Sequence, residues 1–295
     1  METYKWVFAP YMGGKGKGKC PSCGKGKSYT YYVDLDTGCL LGEEYGLCDR
    51  ISSCGYSYSP YNNPPLRGNS GIVVPLVNKK ELPIDTIPLE VFKKSFNNKF
   101  EDNLSKFLLA RFKESRVKEI LKRYRVGCST LFGGNSTVFW NIGYTDKIVI
   151  YTGKIMKYTE EGKRDKLGGY PKIKWIHNFI KEDFNVKQVL FGEFLLDAYP
   201  DMAVKIVESE KTAIIMSIID PNHLYLATGS MQNIQQEKLL KLKDRGATLI
   251  PDKGKAYEYW KTKIESYKME NIVVSNEVEL DSELKEGDDI ADKFL

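Results

Sequence analysis

The chain has 295 residues, of which 42% are hydrophobic and 28% charged, with a net charge of +5. That is enough for two or three compact units with ordinary cores. No run of about 18 apolar residues occurs, which argues against a membrane span. The start, Met1 to Trp6, lacks the apolar stretch of a secretory signal, so the expected location is the cytoplasm. Charge is distributed unevenly: residues 1–200 are net +10 and residues 201–295 net −5. A basic front joined to an acidic back suits a polyanion path leading to a cation-binding site.

Residues 1–66 read as a small β-module rich in Gly, Tyr and Lys. They hold five of the six cysteines and end in the breaker-rich Tyr61 to Pro65. Alternation from Ser28 to Val33 predicts a strand, with a turn at Asp36-Thr37-Gly38. Cys20-Pro21-Ser22-Cys23-Gly24 is a C-x2-C knuckle, and Cys48 and Cys54 can complete a four-thiolate zinc site after 24 intervening residues. The second pair is spaced C-x5-C, wider than the commoner C-x2-C. Such a closed site is structural, because no coordination position is left for water. Cys39 is read as a spare and Cys128 as a packed small residue. Lys15, Lys17, Lys19, Lys25 and Lys27 flank the first knuckle, and Tyr29, Tyr31, Tyr32, Tyr56 and Tyr58 interleave with strand positions. Basic groups with aromatic faces suit single-stranded nucleic acid. The plainer reading is that the tyrosines fill out a very small core.

Residues 67–123 are expected to form a linker and packing helices. Leu89, Phe92 and Phe96, then Phe100, Leu104, Leu108 and Phe112, recur at helical spacing. Residues 124–200 read as a mixed α+β basic subdomain, with strands at Thr137–Trp140 and Lys147–Tyr151. From Lys147 to Trp175 there are eight basic residues against three acidic, with Tyr151, Tyr158, Tyr170 and Trp175 among them. In an extended Tyr151–Tyr158, Lys154 and Lys157 fall on opposite faces. Ammonium groups there would pin phosphates while rings stack bases; a solvated hairpin is the alternative. Lys154, Lys157, Arg164, Trp175 and Lys211 are the candidate contacts to nucleic acid or nucleotide.

Residues 201–295 alternate strand and helix, with strands at Val204–Val207, Leu224–Ala227, Thr248–Ile250 and Ile272–Val274. This rhythm predicts a Rossmann-like parallel sheet covered by helices. The chemical signal is a set of carboxylates at strand ends: Glu208 after the first strand, Asp252 after the third, and Asp288 and Asp289 before a last helix. Ligands of open α/β sheets collect beyond the carboxyl ends of strands, and hard oxygen ligands there suit Mg²⁺ or Mn²⁺. Singly, each acid is as well explained by a helix cap or dipole. Glu210 is expected to do no more than favour its helix. No G-x4-G-K-[ST] phosphate loop occurs in the chain.

These residues resemble the TOPRIM fold shared by bacterial primases, topoisomerases and some nucleases. That family places a Glu, commonly followed by Gly, after its first strand, where this chain has Val207-Glu208-Ser209. It places D-x-D after the third strand, where this chain has Asp252 but Gly254; Asp288 or Asp289 would supply the missing carboxylate. The order of zinc ribbon, basic subdomain and TOPRIM core resembles primases. Ile148 to Met156 is similar to their basic strand motif, and Leu190-Phe191-Gly192 to the phrase before their first TOPRIM strand. Over nearly its full length the chain looks like primase-like proteins of Bacteroidetes chromosomes, plasmids and mobile elements. Those share Cys20 to Lys27, Thr152 to Tyr158, and Phe191-Gly192-Glu193. The resemblance implies RNA-primer synthesis from ribonucleoside triphosphates on single-stranded DNA, with Glu208, Asp252 and Asp288 or Asp289 holding Mg²⁺ or Mn²⁺. The rivals are a single-strand-binding accessory protein, favoured by Gly254, and a TOPRIM nuclease.

Overall fold

Four short strands build the N-terminal unit: β1 (Trp6–Phe8), β2 (Tyr29–Asp34), β3 (Gly46–Cys48) and β4 (Ser57–Tyr58), antiparallel and in that order. The computed structural model describes residues 5–9, 17–51, 53–65, 83–95, 100–144 and 147–295. Lys15 and Phe96 lie outside the described residues. The chain divides into two units, Met1–Pro83 and Ile84–Leu295.

With so few residues, the ribbon draws its core from aromatic rings and thiols. Tyr29 is fully buried against Cys20 and Cys48, and its hydroxyl donates to the Glu44 carbonyl at 2.6 Å. Gly46 makes this possible: a Cβ there would lie 2.4 Å from the Thr30 carbonyl oxygen and 2.6 Å from the Tyr29 ring. Asp34 is also buried and closes the turn after β2, accepting from Asp36 N at 2.9 Å and Thr37 N at 3.1 Å.

The second unit has one continuous core running from Ile87 to Ala291. Three helices open it, α1 (Leu89–Ser95), α2 (Asn103–Leu109) and α3 (Glu114–Arg123). Asp102 caps α2 from a buried position, accepting from Ser105 N, Ser105 Oγ and Thr137 Oγ1. That hydroxyl bond ties the helix to the first sheet. Strands β5 (Gly127–Ser129), β6 (Ser136–Tyr144) and β7 (Ile148–Met156) follow, then a small hairpin of β8 (Lys166–Leu167) and β9 (Tyr170–Pro171), and β10 (Ile173–Trp175). The sheet is antiparallel, in the order β10-β7-β6-β5.

The chain then alternates β11 (Ala203–Val207), α4 (Glu210–Ile219), β12 (His223–Ala227), α5 (Gln236–Leu239), β13 (Ala247–Leu249), α6 (Lys255–Tyr267), β14 (Ile272–Val274) and α7 (Glu277–Leu280). These strands form a parallel sheet ordered β12-β11-β13-β14. The expected mixed α/β architecture is therefore present: a cysteine-bearing ribbon, an antiparallel sheet in the basic region and a C-terminal parallel sheet. Ser209 starts α4, its Oγ accepting from Thr212 N at 3.1 Å. This helix is buried nearly all round, which explains its lack of a polar stripe. The joint between the sheets is short-range: Phe191 bridges Ala227 at the end of β12 and stacks on Tyr124 at 5.4 Å.

Candidate metal centre and carboxylate edge

Two turns and a strand end bring the four cysteines together. In the knuckle, Gly24 N donates to Cys20 O at 2.9 Å and Cys20 N to Lys25 O at 3.0 Å. Cys48 ends β3, and Cys54 N donates to Arg50 O at 2.7 Å, so the long C-x5-C spacing is taken up by a turn. All four Sγ atoms lie within 4.8 Å of one another, with Cys20 and Cys54 3.8 Å apart. A zinc–thiolate tetrahedron with bonds of about 2.3 Å has edges of about 3.8 Å. Among the described residues these are the group of three or more His, Cys, Asp or Glu side chains that meets this closeness. Cys39 instead donates to the Thr37 carbonyl at 3.6 Å, and Cys128 donates to Asp102 Oδ2 at 3.3 Å. Tyr29 and Tyr45 belong to the ribbon core and offer no free ring, whereas Lys19, Lys25 and Lys27 are exposed.

The second cluster lies at the carboxyl ends of β11 and β13, which are neighbours in the sheet. Glu208 directly follows β11, and Asp252 follows β13 after Ile250 and Pro251. Burial pushes Glu208 up to about 7, against backbone N–H bonds from Met231 and Asp252 and the nearby Arg164 charge. Burial pushes Asp252 up to about 8, reinforced by the negative charges of Glu208 and Asp289. Asp252 Oδ1 is buried without a hydrogen-bond partner. Burying such an oxygen costs free energy unless something compensates it.

The remaining acids are differently placed. Asp289 also has its carboxyl raised, chiefly by burial, but it accepts from Thr212 Oγ1 at 2.6 Å and from Ala291 N at 2.8 Å. It thus ties the last turn of the chain to α4. Asp288 turns to its own loop, accepting from Lys285 N at 2.7 Å, because the tight turn at Gly287 faces it back. Gly254 has φ +101°, and its N–H donates to Glu279 Oε2 at 2.8 Å. A side chain there would be strained and would meet Glu286 at 3.1 Å. Position 254 therefore cannot readily carry a second carboxylate.

The candidate cations separate into two groups. Lys211 and Arg164 lie within electrostatic reach of the acids: Lys211 interacts with Asp289 and Asp292, its Nζ donates to Gly162 O at 2.9 Å, and burial lowers its pKa. Arg164 is exposed, and its charge acts on both Glu208 and Asp252. Lys157 donates to the Gly134 carbonyl. Trp175 is half-buried, 5.8 Å from the His177 ring. Lys154, expected to meet phosphate, is instead buried in an ion pair with Glu210 at 2.7 Å, both side chains 6% exposed. Its Nζ also reaches the Gly229 carbonyl at 3.4 Å.

Alternation along β7 does not bring Lys154 to the surface, because both faces of the strand are covered there. Glu210, expected only to favour its helix, is instead the buried partner of Lys154. The signal available was that α4 has apolar residues on every side, so its first turn must be buried too. Lys154→Met should leave Glu210 buried and unpaired, costing about 3–5 kcal/mol. Lys154→Met with Glu210→Leu should recover most of that loss. Denaturant melts of the two variants check this: equal destabilisation by single and double replacements would show the pair to be uncoupled.

A cysteine-quartet β-ribbon joined to an α/β unit with carboxylates at a parallel-sheet edge defines the class of this protein. Residues 102–253 match the model of the family described as Domain of unknown function (DUF6371), and the chain belongs to that family. Residues 4–65 match the zinc beta-ribbon finger family. Among solved structures, the chain is similar to the primase fragment of the Bacteriophage T7 primase-helicase protein. That similarity is at 14% identity, covers 91% of this chain and 90% of that one, and has a TM-score of 0.41. No curated protein matches. Among the described residues, no helix is long and apolar enough to cross a membrane.

Proposed function

We propose that this chain is a primase-like nucleotidyltransferase that joins ribonucleotides on single-stranded DNA, using a divalent cation held at the carboxylate edge. The observation carrying the proposal is the pair Glu208 and Asp252 at adjacent strand ends, with one Asp252 oxygen buried and unpartnered. That donor set fits Mg²⁺ or Mn²⁺, which commonly takes one or two carboxylates and completes its shell with water and substrate phosphates. Asp289, engaged by Thr212, supports the site by its charge; Asp288 lies to one side. A cation bound here supplies charge neutralisation for phosphoryl transfer. Arg164 and Lys211 hold the triphosphate against this edge, Lys211 from a position oriented by the Gly162 carbonyl. Because burial raises both carboxyls, cation binding there would release protons. Replication would need a separate helicase as partner.

The choice of primer synthesis over other cation-dependent phosphoryl chemistry rests on the sequence resemblance. A second reading, a single-strand-binding accessory protein, is favoured by the backbone at Gly254, which shuts out a second carboxylate. One assay separates the readings. Purified protein with single-stranded DNA, labelled ribonucleoside triphosphates and Mn²⁺ is expected to yield oligoribonucleotides that disappear with EDTA. DNA cleavage without synthesis would point to a nuclease, and binding with neither reaction to the accessory role.

A further inference from the structure

Two of the four aromatic rings of the basic segment are committed to the core, Tyr151 at 6% exposed and Tyr158 at 1%. The β8–β9 hairpin differs. Leu167 and Tyr170 are each 74% exposed and lie directly opposite one another across the pair of strands, so they share one face. Gly168 and Gly169 join them with φ of 58° and 84°, the backbone of a tight two-residue turn that only glycine-like residues adopt cheaply. An added Cβ at either glycine would meet nothing within 4 Å. The tip therefore stands in open space.

Its stem is basic and anchored. Lys163, Arg164, Lys166 and Lys174 are exposed, while Lys172 is paired with Asp165 at 2.9 Å. Backbone bonds Lys157 N to Lys172 O, Asp165 N to Lys157 O and Lys172 N to Asp165 O fasten the stem to the end of β7. Arg164, bridged to Tyr158, leads back to Glu208 and Asp252, whose carboxyls feel its charge.

We infer that this hairpin is a single-strand contact of the protein: Tyr170 stacks on a base, Leu167 packs beside it, and the stem cations hold flanking phosphates. An open aromatic ring on a hairpin whose stem carries exposed cations offers a stacking surface for a base and charges for phosphates, the two things a single strand presents. In a duplex the bases are stacked on each other and offer no such face. The inference rests on the reading of the chain as a protein acting on single-stranded DNA.

The test is fluorescence anisotropy of labelled oligo(dT) with the full chain at several salt concentrations. Tyr170→Ala should weaken binding about tenfold without changing the slope of log affinity against log salt, since stacking releases no counterions. Tyr170→Phe should bind like wild type. Lys166→Ala with Lys174→Ala should flatten the salt slope by about 1–2. Thermal melts should be unchanged, because the tip supports no core. If wild type binds oligo(dT) and Tyr170→Ala binds it equally well, the hairpin assignment is wrong and the proposed function stands. Equal weakening toward duplex DNA would also overturn it, since stacking would then not be the cause. Failure of wild type to bind any single strand would remove both readings.

Discussion

Glu208→Gln is expected to lower primer synthesis by at least about a hundredfold while raising, not lowering, the melting temperature near pH 9 in the absence of divalent cations. The substitution keeps the side chain's volume and removes its charge, so the edge loses half of the pair proposed to hold the cation. The stability effect follows from the direction of the pKa shifts. In the unfolded chain Glu and Asp titrate near 4.3 and 3.9, whereas in the fold Glu208 is pushed up to about 7 and Asp252 to about 8. Raised carboxyls mean that the folded state binds more protons between those limits. Their contribution to stability is complete below about pH 4 and is lost as pH rises through about 7–8. Gln at 208, or Asn at 252, removes part of that loss and flattens the curve. A cation that binds only the folded state should reverse it in the wild type. Mg²⁺ near pH 8 is therefore expected to raise the wild-type melting temperature and to leave the Glu208→Gln, Asp252→Asn double variant unmoved. Full synthesis by Glu208→Gln, or a melt below wild type near pH 9, would count against the assignment.

Cys48→Ser is expected to eliminate the single zinc per chain and to collapse the ribbon. The described part of this unit has only two small buried clusters, Ala9 with Val33 and Leu40, and Cys20 with Tyr29 and Cys48. Units of this size rarely obtain more than about 3–5 kcal/mol from a core alone, whereas a structural zinc site contributes about 10–16 kcal/mol at neutral pH. Cys20→Ser should behave alike, since Cys20 shares both the quartet and the Tyr29 cluster. Cys39→Ser and Cys128→Ser should keep full metal content, because neither thiol is in the quartet. Elemental analysis with NMR of the ribbon amides reads both effects. A metal-free Cys48→Ser variant with unchanged ribbon dispersion would show that the fold does not need the metal.

What the sequence determined by itself was whatever depends on local order. Two residues between Cys20 and Cys23 already fix a turn that points both thiolates one way, and the βα rhythm from Ala203 follows from hydrophobic period. A carboxylate placed at or just beyond a strand's end, as Glu208 and Asp252 are, has to lie at the sheet's carboxyl edge whatever surrounds it. Tertiary structure decided which charged groups were spent inside the protein. Lys154 looked like a phosphate ligand because a strand's alternation does not reveal whether its second face is covered; packing buried it against Glu210, more than fifty residues away. Asp288 and Asp289 were indistinguishable as neighbours until Thr212 drew one carboxylate into the fold and the Lys285 turn held the other outside it. Tyr151, Tyr158 and Tyr170 had the same composition around them, and only the third was left facing solvent. The physical reason is common to all of these: a charge or ring is chemically available only where burial and partners leave it free, and both are set by contacts between residues remote in the chain.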